Sequence, residues 1–125
     1  MIEPDLDAFD AMARAAYRRL PQAFRALCGN VVIHVAEEAE RDVLDEFGID
    51  DPLDLTGLFE GVELAVADEA PPNHVHLYRR AILAEWRGYE DIDLGDLILH
   101  VLVHEIGHHF GLTDEDMGAI EDAAG

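Results

Sequence analysis

Apolar residues recur at three- and four-residue spacing through residues 5–20, at Leu6, Phe9, Ala13, Ala16, Tyr17 and Leu20, with polar residues opposite them. That period is one face of an amphipathic helix, and Pro21 predicts its interruption. A short helical piece then runs to Leu27 and stops at Gly29-Asn30, after which residues 31–35 read as a strand. Residues 37–55 are acidic and punctuated by proline, with Phe47 and Ile49 but no strong period, and predict a loop holding a helical turn. Residues 62–67 and 75–78 predict a strand pair joined across Ala70-Pro71-Pro72-Asn73. Residues 79–86 predict a helix and 87–93 a connection. A long helix, capped by Asp93 or Asp96, then runs to Phe110. It is apolar on nearly all sides, the mark of a buried central element. These elements predict an α+β fold, a short mixed or antiparallel sheet packed against helices. With neither repeat nor linker, residues 1–125 read as one domain, long enough to bury a core without staples.

The polar residues that interrupt the central helix carry the chemistry. His104 and His108 stand four apart, about 40° round the helix and roughly 6 Å along it, so both project from one face toward a common ion. Neutral imidazole suits zinc. Glu105 lies about 100° round from His104, placed to act on a water held by such an ion, the position of a general base. A catalytic zinc takes three protein ligands and keeps a fourth position open, so one ligand must come from elsewhere. Gly111 can adopt the left-handed conformation that ends a helix and turn the chain back, and Asp114 is then brought round to the same ion. Asp114 has a second reading, as first-turn charge on a last helix capped by Thr113. Asp116 and Glu121 are the later residues with reach.

The pattern His104-Glu105-x-x-His108-x-x-Gly111-x-x-Asp114 resembles the hallmark of the small bacterial zincin-like metallopeptidases, the minimal zincins. The stretches from Leu58 to Val62, from Val75 to Leu83 and from Thr113 to Met117 are similar to that family in order and spacing. The metzincins are close relatives in motif, with Asp114 where most carry a third histidine; Met117 follows too soon to match their methionine turn. The resemblance implies a single zincin-like domain with one Zn2+ held by His104, His108 and Asp114, and Glu105 as general base in peptide-bond hydrolysis. It also implies that a strand beside the active-site helix, residues 75–78 or 62–67, offers a free edge to an extended peptide or protein substrate. Tyr78, Tyr89, His74 and His76 are candidates for stabilising the oxyanion, and no spacing selects among them. The alternative is a metal-binding or partner-binding module that does not cut.

Other histidines have plainer readings. His100 extends the stripe as a packing or outer-sphere group, His109 is placed to touch Glu105 or to stand half-exposed, and His34, His74 and His76 read as ordinary sheet positions. Cys28, the single cysteine, reads as a small buried apolar residue and allows no intramolecular disulfide. The sequence contains no serine, which excludes a serine nucleophile. Net charge is -20, from 28 acidic residues against 8 basic ones, every one of them arginine. Such a field repels phosphate backbones, so no nucleic-acid partner is expected, while cations and basic peptides are drawn in. The acidic amino terminus lacks a secretory pattern, and the apolar runs are too short to span a bilayer. A reducing cytoplasm without membrane contact is therefore the expected location.

Overall fold

The apolar face of residues 5–20 becomes α1 (Leu6–Arg19), with Phe9, Ala13 and Ala16 buried and the Asp5 carboxylate capping its start by accepting from the Ala8 amide at 2.9 Å. The computed structural model describes residues 3–61 and 72–124. After α1 come α2 (Gln22–Cys28), β1 (Val31–Ala36), α3 (Arg41–Glu46), a 3-10 turn (Pro52–Asp54), β2 (Gly57–Glu60), β3 (Asn73–Tyr78), α4 (Arg79–Arg87), α5 (Leu94–His109) and α6 (Asp114–Ala123). This is an α+β arrangement of six helices and a three-stranded mixed sheet among the described residues. None of those helices is long and apolar enough to cross a membrane.

Helix α5 is the centre of the packing. Nine of its residues, from Leu94 to Gly107, are buried, and most of them join Phe9, Leu20, Phe24, Val75 and Leu77 in the main core. Its start is capped by Asp93, whose carboxylate accepts from the Gly95 amide at 3.2 Å, which decides between the two expected caps. The sheet lies across α5 in the order β1-β3-β2, with β1 parallel and β2 antiparallel to β3. Alternation turns Ile33, Val75 and Leu77 toward the helices, and His34, His74 and His76 to the other face. A second, small cluster of Ala39, Leu44, Tyr78 and Ala81 closes part of that other face.

Two expectations are corrected here. Residues 37–55 are more ordered than a loop with a turn: Leu44 is 1% exposed, and its burial against Tyr78 and Ala81 gives α3 a reason to form that no local period announces. The antiparallel partner of β3 is β2, at residues 57–60. The expected strand at residues 62–67 lies outside the described residues. Because β3 is central, both its edges are occupied and residues 75–78 offer no free edge; among the described residues that edge belongs to β2.

Cys28 is fully buried at the end of α2, its thiol donating to the Phe24 carbonyl at 3.2 Å. Burial pushes that thiol up to about 11, against a smaller opposing effect of the Tyr17 hydroxyl. The folded protein therefore keeps Cys28 protonated where the unfolded chain begins to ionise it, and stability falls as pH rises through that window. At pH 8 a thiol-reactive disulfide reagent is expected to leave the native protein unmodified and to label one thiol per chain after guanidinium unfolding. Rapid labelling of native protein would contradict the buried placement.

Candidate functional site

The stripe that interrupts α5 is longer than the two histidines of the motif. His100, His104 and His108 stand at successive turns; the His104 ring centroid is 4.0 Å from that of His100 and 5.6 Å, edge-on, from that of His108. His104 is half-buried, and His100 and His108 are exposed. Burial, followed by the His100 ring, holds His104 below the ordinary imidazole value, while Glu121 pulls the other way. That direction favours the neutral ring, the form that binds a metal.

Helix α6 is set against this stripe by a glycine turn. Gly111 has φ of 71°, the Leu112 amide donates to the Gly107 carbonyl at 2.9 Å, and the Gly111 amide donates to the His108 carbonyl at 3.2 Å. These two bonds form a Schellman closure, which only a residue content with positive φ completes. Packing fixes the rest. Met117 is the one buried residue of α6, and it lies so close to α5 that a Cβ added to Gly107 would come within 2.6 Å of its sulfur.

The carboxylates of α6 then face the histidines in a second row. Asp114 and Glu121 are seven residues apart, two turns on nearly one line. Glu121 Oε1 is 2.5 Å from His100 Nδ1, and Glu121 Oε2 is 3.9 Å from His104 Nε2. Among the described residues, His100, His104 and Glu121 bring one donor atom each to within 4.8 Å of one another, a set able to hold a metal ion. Asp114 makes no such close contact, but its charge acts on the His104 ring. Asp114 stands in the first turn of α6 with Thr113 as the cap, as its second reading expects: Thr113 Oγ1 accepts from the Asp116 amide and Asp116 Oδ2 from the Thr113 amide, both at 3.1 Å.

Glu105 projects from a different side of α5, toward β2. A Cβ on Gly57 would approach its Cγ to 3.2 Å, so the missing side chain lets the edge strand lie against it. Burial raises the Glu105 carboxyl above the usual carboxylate range, and the nearby His108 opposes that rise. His109 does not serve Glu105: its ring packs on Phe59 of β2, with centroids 4.7 Å apart. Of the four oxyanion candidates, His74 and His76 lie on the far face of the sheet and Tyr78 is buried in the second cluster. Tyr89 lines a cleft of about 340 Å³ that His100, Glu121, Arg19 and Asp96 also line.

Residues 28–124, more than three quarters of the chain, match the sequence profile of the zincin-like metallopeptidase family. The chain belongs to that family. No curated protein matches it. In this zincin-like chain the contribution of His100 and Glu121 is what sequence reasoning underweighted. The signal available was the four-residue step from His100 to His104; the position of Glu121 depends on how α6 docks.

The fit of Met117 against Gly107 is directly testable. Gly107→Ala is expected to destabilise the protein by about 1–3 kcal/mol, the usual cost of overpacking a filled site. Met117→Ala in the same chain should return part of that loss, because it vacates the space. Additive losses in the thermal unfolding of the double variant would show that the two residues do not touch.

Proposed function

We propose that this protein is a zinc-dependent peptidase in which His104, His108 and Asp114 hold one Zn2+ and Glu105 is the general base. The observation that carries this reading is the shared geometry of α5: two imidazoles one turn apart, with the half-buried Glu105 carboxyl beside them raised above its ordinary range by burial. Two imidazoles and a carboxylate are an ordinary catalytic zinc set, and they leave a position open. The charge that Asp114 exerts on the His104 ring supports its assignment. Membership of the zincin-like family supports the metal and the reaction class.

When bound, zinc supplies Lewis acidity, which polarises a peptide carbonyl and makes a water easier to deprotonate. The chain's own residues do the rest. Glu105 takes a proton from water as the water oxygen bonds to the peptide carbonyl carbon, helped by the burial that raises its carboxyl, and returns the proton to the amine as the C–N bond breaks. Edge strand β2 aligns the substrate: an extended peptide adds to it through backbone hydrogen bonds, with Gly57 keeping the strand close to Glu105. Recognition through the backbone makes affinity depend little on substrate side chains. The acidic surface favours basic segments and amino termini.

One observation favours a second reading. The contact of Glu121 with His100 at 2.5 Å draws a donor set one turn nearer the start of α5. An ion held there is remote from His108 and serves as a fixed, non-catalytic metal. Variants separate the two. Glu105→Gln is expected to hold zinc at the α5 site with parent affinity while hydrolysis of a quenched fluorescent peptide library falls by about 10²–10⁴. Asp114→Ala is expected to weaken zinc and abolish hydrolysis, and Glu121→Ala to spare both. Full hydrolysis by the Glu105 variant would remove the general base, and loss of zinc only in the Glu121 variant would move the ion to the second set.

A further inference from the structure

The sheet carries a separate group of imidazoles on the face turned away from α5. His74 and His76 alternate onto that face from β3, and the parallel register puts His34 of β1 directly opposite His76. His34 Nε2 is 2.8 Å from His74 Nδ1, the His34 and His76 rings stack with centroids 4.7 Å apart, and His76 Nε2 is 3.2 Å from a Glu60 carboxylate oxygen on β2. We propose that His34, His74 and His76 form a second site for a late first-row transition-metal ion, such as zinc or copper(II), independent of the α5 site, with Glu60 orienting His76.

The chemistry of the donors argues for it. Imidazole is the ligand that zinc, copper and nickel share, and three imidazoles with one open position is a known zinc arrangement. Two nitrogens bound at about 2.0–2.1 Å are about 2.9 Å apart at a right-angled centre and about 3.4 Å at a tetrahedral one. The observed 2.8 Å between His34 and His74 is thus within a few tenths of an ångström of a ligand pair. Without an ion one of those two nitrogens donates its proton to the other; with one, that proton moves to the other nitrogen of its own ring and both lone pairs turn to the metal. Glu60 plays the part that carboxylates commonly play beside a metal-bound histidine: by accepting from Nε2–H it fixes the tautomer and leaves Nδ1 as the free donor.

The three rings do not yet point their nitrogens at one centre, and closing on an ion takes side-chain rotation. His34 is exposed and His74 and His76 are half-exposed, so no core packing resists that movement. The net charge of -20 raises the local concentration of divalent cations.

Calorimetric titration of untagged protein with Zn2+ tests the assignment, using the parent, a His34→Gln/His74→Gln variant and a His104→Ala/His108→Ala variant, each checked for folding by circular dichroism. The expected result is that the His34/His74 variant loses one equivalent of zinc, or binds it at least tenfold more weakly, while the His104/His108 variant keeps that equivalent. Unchanged stoichiometry and affinity in the His34/His74 variant would overturn the proposal, as would loss of all binding in the His104/His108 variant. A parent that binds a single zinc, lost only on changing His34 and His74, would support this site and refute the one proposed on α5. The two assignments thus fail separately.

Discussion

The burial of α5 on almost every side is the constraint from which the rest of the structure follows. A helix with this much apolar surface is stable only when neighbours remove that surface from water, at roughly 25 cal/mol for each Å² covered. Helix α1 and the sheet take two sides, and α6 is pinned to another by Met117 against Gly107. Along one open line of the helix stand three histidines, His100, His104 and His108. Polar groups set in such a line have few alternatives to facing the carboxylates of α6.

Glycine sets the distances. Gly57 lets an edge strand lie against the side of α5 that carries Glu105, and Gly107 lets a methionine sit where a larger residue would push α6 away. Gly111 adopts the positive φ that reverses the chain. Gly57 and Gly107 work by leaving room for a close neighbour, and Gly111 by a backbone conformation that other residues rarely adopt. Glu105, the stripe of histidines and the acids of α6 are therefore held in relation to one another by three positions that carry no polar side chain themselves.

Much of the fold was legible because it is encoded at short range. The apolar period of α1, the cap at Asp93, the turn at Gly111 and the cap at Thr113 all depend on residues within a few positions of one another. Strand β2 was missed because four residues beginning with glycine carry too little alternation to read, and it becomes a strand only by pairing with β3. Helix α3 was missed because its formation rests on burying Leu44 against Tyr78 and Ala81, far along the chain. In the site, the pairing of His104 with His108 was legible from helical spacing alone. The approach of Glu121 to His100 joins residues 21 positions apart, and their meeting is set by the docking of α6.

The way α6 is attached has a consequence for how the molecule opens. Only Met117 of its ten residues is buried, whereas nine residues of α5 are. Regions with few buried contacts open at lower free energy than the core and do so as units. Helix α6 is such a unit, and each time it lifts it carries Asp114 and Glu121 away together while the histidines stay fixed on α5. Acidic and imidazole donors thus belong to parts of the protein that come apart on their own timescale, so an ion gripped from both sides would act as a clasp that closes the C-terminal helix and slows its exchange with solvent.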